Sequence, residues 1–280
     1  MIKVLASGIY SSIQDIGRKG FRKIGVPISG TMDAFSAQLA NHLLRNKEDA
    51  AVIEVTFGGC KLEFLTDTFV CITGADFFPK LNDTSIQLNT VQKVTKGSIL
   101  SFGKRNYGVR TYIGVLGGIQ TEEFLNSRSY YKGVTPMFVI QKGTMLPIVN
   151  VKNHFQPSLA KVKVNESHFT SNDISCFKGP EFDLLSPEQI ALLKETLFSI
   201  SQDNSRMGYR LNEVIPNTFD SMLTSGVLPG TVQLTPSGKL MVLMHDCQVT
   251  GGYPRVLQLS ENAINILAQK TTGDTFRFVF

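Results

Sequence analysis

Apolar and polar residues alternate with a period of two along most of this chain. Residues 52–65 (VIEVTFGGCKLEFL), 69–77 (FVCITGADF) and 85–103 (SIQLNTVQKVTKGSILSFG) carry that alternation, broken by Gly or Asn-Asp, as short antiparallel strands do. Helical periodicity is confined to two stretches. Over 32–46, Phe35, Leu39, Leu43 and Leu44 fall on one stripe; over 186–198, Ser186 stands as N-cap with Pro187 in the first turn and Glu188 behind it. Many short strands with one helix in each half predict a mainly β protein of barrels or sandwiches, not βαβ units.

Similar turns recur. Segments 96–103 (KGSILSFG), 142–148 (KGTMLPI) and 272–280 (TGDTFRFVF) each set a Lys-Gly or Gly-Asp turn before an alternating strand, and SGTMD (29–33) resembles PGTVQ (229–233). The recurrence predicts two halves, 1–160 and 161–280, joined through the polar stretch 150–173, with room for one half to lend strands to the other.

Where a strand pattern runs out into polar residues and glycines, a binding site is the natural expectation. The apolar run 240–244 leads into HDCQVTGGYPR (245–255). Read as extended chain, it turns Asp246 and Gln248 to one face and His245 and Cys247 to the other. Gly251 and Gly252 then allow a ligand close to the backbone beside Tyr253. The competing reading is a tight turn between two core strands. A Cys-His-Asp triad is not expected here, because neighbours on one strand point apart, and Cys247 is read as a core-facing thiol.

Composition narrows the classes. The chain has 280 residues, 42% of them hydrophobic, enough for a sizeable core. No run approaches the ~18–20 apolar residues of a membrane span, and the opening MIKVLASG reads as a strand, with no long apolar stretch of a secretory signal. Cys60, Cys71, Cys176 and Cys247 lack metal-ligand spacing and are read as reduced, mostly buried thiols of a cytoplasmic protein. Lys and Arg number 28 against 23 Asp and Glu, a net charge of +5, but no basic run or stripe of the kind nucleic acid requires is present. A mildly basic surface suits small anions or an acidic partner.

Arg206 and Arg210 flank Gly208-Tyr209 at a spacing of four, which aims both guanidiniums the same way in strand or helix. Two such forks suit a carboxylate or phosphate, unless they form salt bridges across a seam. Asp33 opens the helix 32–46, either as its N-cap or as a carboxylate at the mouth of a cleft, and Asn41 two turns later extends a polar strip from it.

These segments, namely QDIGRKGFRKIGVPISGTMD (14–33), LANHLLRN (39–46), FKGPEFD (177–183), SRMGYRLN (205–212), SGVLPGTVQ (225–233) and HDCQVTGGYPR, resemble a family variously called allophanate hydrolase subunit 2, KipA or the C-type subunit of 5-oxoprolinase, and more broadly biotin-dependent carboxyltransferase-like. The resemblance runs from Ile2 to Phe280 and is weakest over 150–200. It implies two tandem cyclophilin-like β-barrels. Asp33 matches the acidic position of the family's GxMD motif. Asn204-Ser205 depart from its usual Ser-Asp before the arginine, and Cys247 and Val249 replace a small residue and a Thr.

The resemblance further implies a bacterial ATP-dependent 5-oxoprolinase, in which a KipI-like and a LamB/YcsF-like subunit act with this one. ATP would phosphorylate the lactam carbonyl oxygen before water attacks. Arg206 and Arg210 would hold the substrate carboxylate or the phosphoryl group, and Asp33 or Asp246 would orient a proton or metal. Asn41, Gln248, Gly251, Gly252 and Tyr253 are the expected substrate contacts. No GxxxxGK[ST] loop is present, so ATP is expected at an unfamiliar surface or through the complex. Two alternatives stand beside this: biotin-dependent carboxyl transfer, with the biotin carried on another polypeptide, and a KipA-like regulatory antagonist of a kinase inhibitor. Prolyl isomerase activity does not follow from a cyclophilin-like fold.

Overall fold

The computed structural model describes residues 1–150, 155–156 and 162–280; parts of the expected boundary stretch, 151–154 and 157–161, lie outside the described residues. Its contacts divide the chain into two compact units. The first is Met1–Lys19 with Ser29–Asn165, the second Gly20–Ile28 with Glu166–Phe280. Segment 20–28 thus belongs with the second unit, whereas a division at 160 places it in the first half. Arg22 explains the assignment, since its guanidinium donates to the carbonyls of Val227 and Val249.

The first unit is built on two antiparallel sheets. One runs in the order Met145–Leu146, Ile2–Ser7, Cys60–Phe64, Ile99–Ser101, Lys80–Leu81, Thr84–Ser85; the other runs Tyr10–Gln14, Val52–Thr56, Tyr107–Val115, Thr68–Asp76, Val91–Val94. The predicted strands at 52–65 and 69–77 are all here. Period-two alternation is clear at Ile2, Lys3 and Val4, buried, exposed and buried in turn. Ile2, Val4, Ile53, Val55, Leu62, Ile72, Leu100 and Ile113 meet in one core. Strand Val52–Thr56 lies between two others and is buried at all five positions, including the charged Glu54.

Helix α1, Ala34–Leu43, packs on the strands Thr68–Asp76 and Tyr107–Val115. Its buried face departs from the predicted stripe: Ser36, Ala37, Ala40 and Asn41 are buried with Leu43 and Leu44, while Phe35 faces solvent. Close approach selects small residues. A Cβ on Gly114 would sit 3.0 Å from the Cβ of Ala40, so a Phe-sized face has no room there.

The second unit is a closed barrel of seven strands in the order Asp173–Lys178, Arg255–Leu259, Thr231–Leu234, Lys239–Leu243, Gly208–Val214, Phe198–Asn204, Thr275–Val279, the last pairing in parallel with the first. Phe198, Phe276 and Phe278 pack ring to ring inside it. After the short helix α2, Ser167–Thr170, comes the predicted α3, Pro187–Glu195, whose Ser186 and Gln189 form a capping box. Helix α4, Glu261–Ala268, capped by Ser260, is not signalled by the sequence pattern. Its short ENAINILA run follows directly on a strand and carries two Ile, so period and propensity both leave it ambiguous. Among the described residues, no helix is long and apolar enough to cross a membrane.

Candidate functional site

In the second unit, Arg206, Arg210, Asp246 and Gln248 lie about the point where the strand Phe198–Asn204 turns into Gly208–Val214. The Ser205 amide donates to the Gly208 carbonyl, closing the turn. That turn overturns the expectation that Arg206 and Arg210 point together. Arg206 lies in the turn and points inward, where Nε and Nη2 grip Asp246 at 2.8 and 3.1 Å with only 8% of the side chain exposed. Arg210 lies on the strand beyond and points outward, 46% exposed, its Nη1 3.2 Å from Asp203. The i, i+4 equivalence of a straight strand does not survive a turn between the two positions.

A second correction concerns 245–248. The strand ends at Leu243, and the following residues form a turn: Cys247 donates its amide to Met244, and Asp246 donates its own to the Arg206 carbonyl. Asp246 therefore grips Arg206 through both backbone and carboxylate, and the alternating faces expected of 245–248 do not exist. Cys247 does face the core, packed with Val227 and Leu243. Burial pushes its thiol up to about 11, against a partial lowering by the nearby Arg22 charge. Such a thiol is no nucleophile at neutral pH.

Arg210 and Gln248 line a cavity of about 360 Å³ together with Gln202, Ser205, Met207 and Met241. The other selected residues of this unit lie apart from its walls. Gly251 pairs with Ser225 in a two-stranded ribbon, Gly252 accepts the Met222 amide at 2.9 Å, and the Tyr253 carbonyl accepts from the Gln233 amide at 3.3 Å. Here the Gly-Gly pair serves backbone packing, since a Cβ on Gly251 would meet the Gln233 amide at 2.5 Å. Arg255, just beyond, makes a bidentate pair with Glu181 of the FKGPEFD segment at 2.8 and 2.6 Å, and this contact holds the Glu181 carboxyl below its ordinary range.

Asp33 and Asn41 belong to the first unit. Asp33 is fully buried and caps α1, its carboxylate accepting from the Ser36 amide at 3.0 Å and the Ser36 hydroxyl at 2.6 Å. The turn before it is built on Gly30, at φ 95°, where a Cβ would sit 3.1 Å from the Asp15 carbonyl oxygen. Asn41 sits at the far end of the helix, donating to Ala50 and accepting from Asn46, so the two form no continuous polar strip.

Two residues that sequence reasoning misses hold the turn in place. The buried Glu54 carboxylate accepts from the Met32 amide at 2.8 Å and from the Tyr112 hydroxyl at 2.9 Å, and that hydroxyl accepts in turn from the Asp33 amide at 2.8 Å. Burial, with the charges of Glu54 and Asp33 adding to it, keeps the Tyr112 phenol protonated well beyond its ordinary range. A lone Glu inside the apolar VIEVT run is the available signal. Among the described residues, no group of three or more His, Cys, Asp or Glu is placed to hold a metal.

Comparison with known proteins covers nearly the whole chain. The C-type subunit of the 5-oxoprolinase of Escherichia coli strain K12 is 32% identical over 285 residues, covering 100% of this chain and 91% of the relative. The urea amidolyase of Lachancea kluyveri is 31% identical over 99% of this chain but only 17% of its own length. Among solved structures, the crystal structure of TTHA0988 matches with a TM-score of 0.89 at 26% identity, over 100% of this chain and 55% of that one, so the chain spans about half of it. Residues 24–280 match the carboxyltransferase domain, subdomain A and B, and the chain belongs to that family.

Proposed function

We propose that this chain is the C-type subunit of an ATP-dependent 5-oxoprolinase of the cytoplasm, opening 5-oxoproline to glutamate together with a KipI-like and a LamB/YcsF-like subunit. Its near end-to-end match to a bacterial 5-oxoprolinase subunit of that type supports the assignment, and four buried thiols outside any disulfide suit a reducing compartment. The observation that carries the site is the 360 Å³ cavity that brings Arg210 and Gln248 together. Arg210 would hold the substrate carboxylate, exchanging its exposed partner Asp203 at little cost. The Gln248 amide would then address the lactam, while Met207 and Met241 flank the ring methylenes.

In this reading Arg206 and Asp246 act as positioning residues that lock the 205–208 turn under the cavity, and Asp33 fixes the start of α1. A cavity with one guanidinium and no glycine-rich phosphate cradle does not fit a triphosphate. We therefore assign ATP binding to the assembled complex. The purified chain should release no glutamate from 5-oxoproline and ATP, and the reconstituted three-subunit mixture should do so. Release by the chain alone would overturn the reading.

Carboxyl transfer from biotin is the second reading, favoured by the match to urea amidolyases. These 280 residues carry no Ala-Met-Lys-Met acceptor, so carboxybiotin would be delivered by a carrier outside them. Activity that requires a biotinylated carrier and no 5-oxoproline would select it.

A further inference from the structure

The C-terminal end of α1 carries a feature with no part in the site above. The Arg45 amide donates to the His42 carbonyl and the Asn46 amide to that of Asn41, a Schellman closure in which Arg45 occupies the left-handed position at φ 54°. Glycine fills that position without strain; an arginine fills it at a small cost.

The Arg45 side chain borders a cavity of about 680 Å³ lined also by Lys47 and Arg128, with Leu116 and Val149 as apolar wall. Two carboxylates, Asp49 and Glu123, share the lining, so the cations exceed them by one. Glu123 is already engaged, 3.0 Å from Arg128. The walls are braced in advance. Asn46 donates to the Val115 carbonyl at 2.8 Å and accepts the Gly117 amide at 2.7 Å, while Gln120 donates to the Gly117 carbonyl at 2.7 Å. Gly117 is required there, because a Cβ would meet Val149 at 2.7 Å.

We propose that this cavity is a binding site for a small molecule bearing a phosphate or carboxylate, held by Arg45, Lys47 and Arg128 with its apolar part against Leu116 and Val149. Guanidiniums grip either anion through paired N–H donors, and a site of this volume takes a nucleotide-sized or smaller ligand. The site lies within the first unit and stands independently of the function proposed above.

Calorimetric titration of the full chain with inorganic phosphate, ATP and glutamate, each alone, tests it. At least one probe should bind saturably: phosphate and ATP without glutamate identifies a phosphate ligand, and glutamate alone a carboxylate. Arg45→Gly should weaken binding about ten-fold or more while leaving the melting temperature equal or higher, a pairing of effects that a purely structural Arg45 cannot produce. Lys47→Ala should weaken binding as well, and Glu123→Gln, by releasing Arg128, should tighten it. Absence of saturable binding to all three probes, or unchanged affinity in both Arg45→Gly and Lys47→Ala, overturns the proposal.

Discussion

Replacing Arg206 with Ala takes the bidentate partner from a carboxylate held at 7% exposure, whereas Arg210→Lys alters only an exposed contact. The two should therefore separate cleanly. Arg206→Ala should cost about 3–5 kcal/mol of stability, the loss typical of breaking a buried pair by one partner. Arg210→Lys should leave the thermal midpoint unchanged and lower kcat/KM of the assembled complex about ten- to a hundred-fold, because lysine keeps the charge but loses the planar fork. Thermal midpoint and steady-state kinetics on the same preparations decide it. Normal kinetics in Arg210→Lys would return that residue to the surface. The sequence identifies both arginines but not their division of labour, since only the turn closed between Ser205 and Gly208 sends one inward and the other outward.

At the scale of elements, the start of α1 depends on a strand pair. Tyr112 and Glu54 lie opposite each other in the ladder between Tyr107–Val115 and Val52–Thr56, and their side chains receive the amides of Asp33 and Met32. Tyr112→Phe removes the hydroxyl that joins the Asp33 amide to Glu54, leaving buried polar groups short of a partner, and should destabilise the chain by about 1–3 kcal/mol. Hydrogen exchange at the Asp33 amide should accelerate more than that of amides in the barrel Phe198–Val279. Uniform acceleration throughout would mean that the hydroxyl does not anchor the turn. The Asp33 and Ser186 caps are legible because a cap is a contact across three residues; the brace behind Asp33 is not, because its partners come from two other strands.

For the whole molecule, burial leaves a mark on the pH dependence of stability. It raises the thiols of Cys60, Cys71 and Cys176 to about 12 and that of Cys247 to about 11, from an ordinary value of 9.0. The folded chain thus favours the neutral thiols, and their contribution is fully present below about pH 9. It is lost as pH rises from there through 11 to 12, where the unfolded chain has released protons that the folded chain still holds. The urea midpoint should fall steadily above pH 9, and a Cys60→Ala, Cys71→Ala double variant should fall less steeply, although it starts lower. Comparing slopes cancels the contribution of the buried tyrosines. Equal slopes would sink the argument.

Period-two alternation, two N-cap residues and contiguous family motifs are all readable in the sequence, because each is set by residues a few positions apart, and together they determine a mainly β chain of this family. What the sequence leaves undetermined depends on strand register and on close approach between elements. Asp246 meets an arginine 40 residues away, and Glu54 a tyrosine 58 residues away. Segment 20–28 joins the second unit through the carbonyls of Val227 and Val249. On α1 the small Ala37 and Ala40 lie buried while Phe35 faces solvent, and Ala40 is the residue that packs against Gly114. Side-chain direction after a turn, and the room left between a helix and a sheet, exist only once the long-range pairings have closed.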